Sequence, residues 1–427
     1  MQLKKIYNVL LLSILQTTSI MKNLAPFFIA TFLSLIICAQ EEQKFKFDYT
    51  IKSDAFGDDR NITVYLPPSF YENLEDKFTV TYILDGHFDP FIDLGVKIIE
   101  YNTYMHKYTP TIVVGIHAKQ RGWEFSAPSP DDNENYDYKG GRAPELQQHF
   151  KNEVFPLVDS IYRNKILRFR NLIGHSSGGG FVLYSLFSDE KDLFDGYLAI
   201  SPGIREDSEY ILENAANRLK NGERFSKFLY CSSGTVGERE ELFGGAVKRL
   251  DSIFQVYPDH GLIWRTSEFE GMGHWTCVPP SFNSGMVELT RAFRVDEKTF
   301  FDFASNVDLS MAEQIESFYK QTEKEYGFVD IPTAGYLNSI AWEMRDKEKY
   351  QDAMEIYDWG IKQHPTNYTL TKQKAKLYLH IGKHKEAYST FKLSIEKLEG
   401  VKEKMSADRY EGQKKYLNEK LIECKLE

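Results

Sequence analysis

The stretch of residues 171–187 constrains the fold more than any other part of the chain. Two apolar residues, Leu172 and Ile173, lead into a Gly-His-Ser-Ser-Gly segment at positions 174–178, and an apolar segment with helical character follows. A strand, a sharp turn that carries a serine and a helix, in this order, form a nucleophile elbow. The turn would place Ser176 at the carboxyl edge of a sheet and at a helix N-terminus, whose dipole favours negative charge. The alternative is a glycine-rich turn that only packs a helix on a strand.

The two glycines of the motif have a steric explanation. The turn is tight, so a side chain at Gly174 or Gly178 is expected to clash with the neighbouring strand or helix. The motif by itself is only moderately specific, and its sequence context has to decide between the two interpretations.

Before residue 300, apolar runs alternate with helical patterns. The runs lie at residues 45–51, 61–66, 78–84, 111–116, 198–200, 227–231 and 262–264. The first two predict an antiparallel pair that turns at residues 57–59, whereas continuous apolar runs are typical of buried parallel strands. Helical patterns lie between the runs, notably at residues 143–162 and 240–255. This alternation predicts an α/β fold with a mostly parallel sheet that is covered on both faces.

From about residue 300 onward, the sequence is helical and internally repetitive. Pairs of related residues recur 34 positions apart: Ala341 and Ala375, Met344 and Tyr378, Ala353 and Ala387, Tyr357 and Phe391, Gly360 and Ser394. This period is typical of tetratricopeptide repeats. The predicted repeats span residues 334–367 and 368–401, with a capping helix at 406–426 and a degenerate leading helix at 311–326. Residues 281–300 are a linker or the last helix of the first domain, and the alternative for the whole region is an unrelated helical bundle.

The N-terminus has the pattern of a secretory signal peptide. Residues 1–40 end in an apolar core and a small residue, and Met21 opens a complete signal by itself. We therefore predict an exported protein, periplasmic or extracellular. A lipid anchor through Cys38 is the weaker alternative, because Ile37 stands where bacterial lipidation sites usually carry a small residue.

Charge and cysteine content exclude several classes of protein. A net charge of -10 argues against nucleic acid or an anionic membrane surface as the main partner. No stretch after the signal is long and apolar enough to span a bilayer. Signal removal would leave Cys231, Cys277 and Cys424, whose spacing fits no zinc motif. Buried thiols are the favoured interpretation, with one disulfide as the alternative.

A serine nucleophile needs a base and a group that orients the base. In α/β hydrolases these follow the serine in the order acid, then histidine. The histidines after Ser176 are His260, His274, His364, His380 and His384. His274 is the candidate base, because it lies just past a predicted strand among glycines. Glu238 is the first candidate for the acid and Glu240 the second, although carboxylates at a helix start are also expected as capping charge.

The developing oxyanion needs hydrogen-bond donors. The backbone N–H of Ser177 is one candidate by its position after the nucleophile. The loop at residues 85–87 should supply the second, through the N–H of His87. Aromatic and cationic groups are expected to border the site at Arg121, Trp123, Phe125, Tyr136, Tyr138 and Trp275. The alternative is that an aromatic-rich chain scatters such residues.

Several segments together resemble the putative esterase family of α/β hydrolases, which includes siderophore esterases, feruloyl esterases, S-formylglutathione hydrolases and mycolyltransferases. The segments are residues 64–68, 82–86, 113–116, 150–156, 174–179, 194–202 and 273–274. The resemblance covers residues 45–295 and not the repeats. Residues 234–238 are similar to the Gly-Thr-x-x-Glu segment that bears the acid in mycolyltransferases.

The sequence thus predicts an α/β-hydrolase domain at residues 41–296 and an all-α domain with tetratricopeptide-like repeats at 297–427. The resemblance implies a serine esterase for a small-molecule ester but does not choose among substrates. The aromatic and cationic loops would suit a siderophore or hydroxycinnamate ester. The triad mechanism requires no cofactor or metal. A protein partner or self-association through the repeats would be additional. The alternatives are an acyltransferase on the same triad and an interaction protein with a vestigial hydrolase domain.

Overall fold

The computed structural model describes residues 45–71, 77–105, 108–128, 141–204, 209–306 and 308–426. The predicted signal peptide, which includes Met21 and Cys38, lies outside the described residues, and so do Tyr136 and Tyr138. Cys231 and Cys277 are buried thiols, as the sequence favours. Within the described ranges, no helix combines the length and the apolar character needed to cross a membrane.

One eight-stranded sheet organises the first part of the described chain. Its strands are β1 (Lys46–Ser53), β2 (Asp58–Tyr65), β3 (Phe78–Leu84), β4 (Thr111–Ile116), β5 (Ile166–Ser176), β6 (Gly196–Pro202), β7 (Phe228–Gly234) and β8 (Ile263–Phe269). Their spatial order is β1-β2-β4-β3-β5-β6-β7-β8. β2 pairs antiparallel with β1 and β4, and the other pairs are parallel. The predicted α/β-hydrolase fold is confirmed.

The hydrophobic patterns explain most of this sheet. β3, β4, β6 and β7 are buried along their whole lengths, as expected for parallel strands between two layers of helices. The predicted turn at residues 57–59 is wrong by a few positions. Ser53 pairs with Asp58, so the turn spans residues 54–57. Gly57, with φ of 76°, closes this turn, and Asp58 and Asp59 already belong to β2.

Helices cover the sheet and form the rest of the described chain. They are α1 (Asp89–Tyr104), α2 (Arg121–Glu124), α3 (Ala143–His149), α4 (Phe155–Tyr162), α5 (Ser177–Leu186), α6 (Tyr210–Lys220), α7 (Glu238–Val256), α8 (Val278–Phe293), α9 (Glu297–Ser305), α10 (Met311–Tyr326), α11 (Ala334–Asp346), α12 (Tyr350–Gln363), α13 (Tyr368–His380), α14 (His384–Gly400) and α15 (Ala407–Leu426). A π-helical turn joins α3 to α4. α8 packs on β6 and β7, so the segment from residue 281 is the last helix against the sheet rather than a linker.

The C-terminal helices form two consecutive pairs with the predicted spacing. α11 and α13 begin 34 residues apart, at Ala334 and Tyr368, and α12 and α14 begin 34 residues apart, at Tyr350 and His384. The four alanines of the sequence pattern, Ala341, Ala353, Ala375 and Ala387, are fully buried, which lets the paired helices approach closely. The arrangement is compatible with helical repeats, and their assignment as tetratricopeptide repeats stays a prediction.

The helical region packs on the end of the sheet that lies away from the elbow. The ring of Phe328, between α10 and α11, stacks on Phe169 of β5 with a centroid separation of 4.0 Å and contacts Phe293 at 5.7 Å. Ser176 ends the same strand seven residues after Phe169, about 23 Å away at the usual rise of a strand. This contact therefore anchors the helices without reaching Ser176.

Candidate active site

The turn between β5 and α5 is a strained elbow with Ser176 at its tip. Ser176 has φ of 58° and ψ of −122°, a conformation that residues other than glycine rarely adopt. A Cβ at Gly174 would lie 2.3 Å from the carbonyl oxygen of Gly178, so position 174 excludes a side chain. A Cβ at Gly178 would meet Leu84 at 3.4 Å, an ordinary contact, so the predicted clash at that position is wrong.

His274 lies in the turn after β8 and is buried. Its Nδ1 is 2.7 Å from Oε1 of Glu240. Because an ionised carboxylate can only accept, Nδ1 carries a proton, and in the neutral ring the lone pair is then on Nε2. Nε2 is buried and makes no hydrogen bond to any residue that the structure describes, Ser176 included. The geometry thus brings His274 and Glu240 together and leaves one buried basic nitrogen unused.

The carboxylate at His274 is Glu240, the second candidate, and not Glu238. Gly237 is the N-cap of α7, so Glu238 is the first helical residue and Glu240 the third. A glutamate at the third position can turn back towards the loop before the helix, as in a capping box. Glu240 does so and also accepts a hydrogen bond from the backbone N–H of Gly234. Glu238 is exposed at the helix start. Its sequence match therefore does not bring it to the histidine.

Glu240 is held in its ionised form. Burial by itself raises the pKa of Glu240. The hydrogen bonds from His274, Ser201 and the backbone of Gly234 outweigh burial and hold the pKa below its ordinary value. The carboxylate can therefore stabilise a positive charge on His274.

Ser201, which the sequence interpretation missed, completes this cluster. It is the last residue but one of β6, has φ of 41° and is fully buried. Its hydroxyl donates to Oε1 of Glu240 over 2.7 Å, and its oxygen lies 3.0 Å from Nδ1 of His274. The available signal was a serine followed by a proline, Pro202, at the end of an apolar strand.

A second missed residue is His175, the variable position of the elbow motif. Its Nε2 lies 2.9 Å from the backbone carbonyl oxygen of His274, and the two rings are 4.4 Å apart. The carbonyl can only accept, so Nε2 of His175 donates the proton. Burial, and then the neighbouring His274, lower the pKa of His175 to about 3. His175 is therefore neutral near pH 7 and fastens the His274 turn to the elbow.

The two predicted oxyanion donors lie at the carboxyl edge of the sheet. Ser177 is the first residue of α5, so its N–H has no partner within the helix. The loop after β3 crosses β4 closely, since a Cβ at Gly86 would lie 2.4 Å from the backbone of Gly115. The next N–H, that of His87, has no backbone acceptor among the described residues. The exposed His87 ring accepts the N–H of Ala118 over 3.3 Å.

Arg121 connects the β3 loop to the elbow. Its Nε donates to Oδ1 of Asp85 over 2.7 Å, and its Nη2 donates to the carbonyl oxygen of His175 over 2.9 Å. Asp85 itself has φ of 60°. The guanidinium group thus joins the two strained turns that carry the predicted oxyanion donors.

Aromatic side chains border part of the site. Trp275 is 58% exposed, and its ring centroid lies 4.9 Å from that of His175 and 6.1 Å from that of Phe88, which is also exposed. Phe125 does not fit the predicted rim, because it is buried against Phe181. In the part of the chain that the structure describes, no three His, Cys, Asp or Glu side chains are grouped so as to hold a metal ion.

A comparison with protein families is consistent with this geometry. The family model described as putative esterase matches residues 53–264, which include the elbow and the Glu240 helix start. The chain belongs to the putative esterase family. This esterase therefore has the Ser176 turn within the matched region, whereas His274 and the helical region follow it.

Solved structures share the fold of the esterase. An IroE-like serine hydrolase from Shewanella oneidensis is 19% identical, with a TM-score of 0.59, over 75% of this chain and 99% of that chain. An uncharacterised protein from Capnocytophaga ochracea is 14% identical, with a TM-score of 0.58, over 82% and 93%. The siderophore hydrolase EstA from Aspergillus nidulans is 17% identical, with a TM-score of 0.50, over 58% and 95%. A search of curated proteins gave no match.

The hydrogen bond between His175 and the His274 turn predicts that loss of the His175 donor lowers kcat. We expect His175→Phe to lower kcat about tenfold, because the ring volume remains but the donor to the His274 carbonyl is lost. His175→Gln keeps a donor near the Nε2 position and should recover most of the rate. Ester hydrolysis and thermal unfolding of both variants measure this. Equal rates for the two variants would show that the hydrogen bond is unimportant.

Proposed function

We propose that this esterase is an exported enzyme that cleaves carboxylic esters with a triad of Ser176, His274 and Glu240. The observation that carries the proposal is the state of His274. Its Nδ1 bonds to a buried carboxylate, and its buried Nε2 is left without a hydrogen bond among the described residues. A buried imidazole in this tautomer is suited to accept a proton from a nearby hydroxyl.

In the first half of the reaction, Oγ of Ser176 attacks the ester carbonyl carbon while Nε2 of His274 takes the hydroxyl proton. The carbonyl oxygen becomes an oxyanion, which the N–H groups of Ser177 and His87 stabilise. When the tetrahedral intermediate collapses, the C–O bond to the alcohol breaks. The imidazolium gives its proton to the departing alkoxide, and the acyl group stays on Ser176.

In the second half, water replaces the alcohol. His274 takes one proton from water, the hydroxide adds to the acyl carbon, and the carboxylic acid leaves as Ser176 regains its proton. Glu240 keeps its charge throughout and stabilises the imidazolium in both halves. An alcohol in place of this water would make the same acyl-enzyme a transferase.

We further propose that the substrate carries an aromatic group, as siderophore and hydroxycinnamate esters do. The exposed pair of Trp275 and Phe88 lies beside the histidine and offers two ring faces for stacking. Among the proteins with a similar fold, EstA is described as a siderophore hydrolase. The similarity in fold does not identify the ester. The proposal of an aromatic substrate therefore depends on the aromatic rim.

The remaining parts of the proposal concern the two ends of the chain. We propose that residues 1–40 direct export and are removed, that the hydrolase domain spans residues 41–296, and that residues 297–427 form a helical domain with tetratricopeptide-like repeats. The two helix pairs with 34-residue spacing support the latter assignment.

Active-site labelling with ester hydrolysis tests the proposal. The purified chain is given p-nitrophenyl acetate and butyrate, a hydroxycinnamate ester and a catecholate siderophore, and is separately treated with a fluorophosphonate. We expect turnover of at least one ester, complete inhibition by the reagent, and a single phosphonyl adduct on the peptide that contains Ser176. An added alcohol acceptor that captures the acyl group faster than water would identify a transferase. No turnover together with no adduct would refute the enzyme proposal.

A further inference from the structure

The end of β6 lies between the Ser176 turn and the pair formed by His274 and Glu240. We call residues 201–203 the β6 end. On one side, the backbone N–H of its last residue donates to the carbonyl oxygen of Ser176 over 2.7 Å, and the pairing of β5 with β6 loses its regular register at this point. On the other side, the hydroxyl of Ser201 contacts both members of the pair. The β6 end therefore connects the Ser176 backbone directly to the histidine and its carboxylate.

The backbone of Ser201 is strained, in contrast to the residues before it. Residues 196–200 pair in regular register with both neighbouring strands. Ser201 follows them with φ of 41°, in the left-handed region that residues other than glycine seldom adopt. Such strain persists only where the surrounding structure fixes it, and it is concentrated at functional sites. Glycine would adopt this conformation without strain, so the serine indicates a use for its hydroxyl.

The Ser201 hydroxyl closes a triangle of three buried polar atoms. Its Oγ lies 2.7 Å from Oε1 of Glu240 and 3.0 Å from Nδ1 of His274, and these two atoms are 2.7 Å apart. Because Nδ1 carries a proton, the hydroxyl donates its own proton to Oε1 and offers a lone pair to the Nδ1–H. The second carboxylate oxygen, Oε2, accepts the backbone N–H of Gly234. Both oxygens of the carboxylate are thus held, which fixes its orientation towards the imidazole.

We propose that Ser201 is a positioning residue of the triad, which holds the Glu240 carboxylate in place and lowers its attraction for the proton on His274. This inference rests on the proposed function, since Ser201 would act only through Glu240 and would not touch the substrate. A hydroxyl that donates to a carboxylate stabilises its negative charge. The carboxylate then holds the imidazolium less tightly, so the ring gives its proton to the departing alkoxide more readily.

Three other titratable side chains face this pair, namely His175 in β5, Arg121 in α2 and Cys277 before α8. Burial, and then the neighbouring His274, lower the pKa of His175 to about 3. Burial, and then the charge of Glu240, raise the pKa of Cys277 to about 12. The guanidinium group stays charged at every pH of interest. These three groups therefore keep their charge states from about pH 5 to pH 9, and a change in the pH dependence of the rate in this range would report on the pair.

The pH dependence of kcat/KM for the full chain, with p-nitrophenyl butyrate as substrate, tests the proposal. For Ser201→Ala we expect kcat to fall about tenfold at its plateau with KM within about twofold, because the carboxylate is no longer held. The acid side of the profile should move up by about half a pH unit, because the carboxylate holds the imidazolium more tightly. Ser201→Gly also loses the hydroxyl but relieves the backbone strain, which favours folding, and should show the same kinetic changes. A wild-type rate and profile for Ser201→Gly would overturn the proposal.

Two further comparisons separate positioning from a general structural role. Ser232→Ala is the matched control, because Ser232 is a fully buried serine in the neighbouring strand β7 whose hydroxyl bonds to Ser281 instead, and its rate should stay within about twofold of wild type. In a Glu240→Gln background, Ser201→Ala should change kcat by less than about twofold, since it acts through the carboxylate. A further tenfold loss in this background, or equal profiles for Ser201→Ala and Ser232→Ala, would refute the proposal. Full activity of Glu240→Gln alone would instead refute the proposed triad, and the role of Ser201 with it.

Discussion

Replacing Ser176 or His274 by alanine is expected to lower kcat/KM for p-nitrophenyl butyrate by about 10⁴- to 10⁶-fold. Ser176→Ala removes the oxygen that would form the proposed acyl-enzyme. His274→Ala removes the buried Nε2 that would accept its proton. Because the two groups would act in the same step of the proposed mechanism, the double variant should be no slower than the slower single variant. The measurement is initial hydrolysis rate over a range of ester concentrations, with the uncatalysed rate subtracted.

Two controls accompany this prediction. One is the thermal stability of the variants, and the other is the activity of a variant at a different histidine. Thermal unfolding should change little for Ser176→Ala, because the strained backbone at the elbow is retained and only the hydroxyl is lost. His260→Ala is the matched control for the histidine, since its ring lies against Phe254 in the α7 region and away from Glu240. His260→Ala should therefore keep its activity. An active His274→Ala variant would exclude His274 as the base.

The sequence predicted some members of the site because they follow from chain order. The nucleophile elbow is a local motif, so its strand, turn and helix could be assigned without any long-range information. His274 could be selected because few histidines follow Ser176 and only this one lies in a glycine-rich turn after a predicted strand. The contact of His274 with Glu240, in contrast, depends on how α7 is oriented.

Other members could not be predicted because they depend on the position at which a helix or strand ends. A shift of one residue in the start of α7 changes which of Glu238, Glu240 and Glu241 faces the loop, and helix starts are uncertain by this amount in a sequence. Ser201 is recognisable only once β6 and α7 are known to be adjacent. His175 is variable in the motif, and its contact with the His274 carbonyl oxygen joins residues 99 positions apart. Such contacts arise from tertiary packing rather than from local pattern.

Replacing each of three neighbouring glutamates of α7 by glutamine tests which carboxylate is the acid of the proposed triad. We expect Glu240→Gln to lower kcat by about 10²- to 10⁴-fold, because an amide cannot stabilise the imidazolium and can turn its N–H towards Nδ1, which favours the wrong tautomer. Glu238→Gln and Glu241→Gln remove the same charge from exposed positions of the same helical turn and should stay within about twofold of wild type.

The lowered pKa of Glu240 adds a pH test to this comparison. A carboxylate whose pKa is lower in the folded than in the unfolded protein stabilises the fold above the unfolded value and loses this contribution as pH falls through the folded value. The unfolding temperature of wild type should therefore fall more steeply below pH 4.5 than that of Glu240→Gln, since the variant lacks this titration. Glu238→Gln should follow the wild-type curve. If Glu238→Gln lost activity while Glu240→Gln retained it, the carboxylate that orients His274 during catalysis would not be the one that bonds to it in this structure.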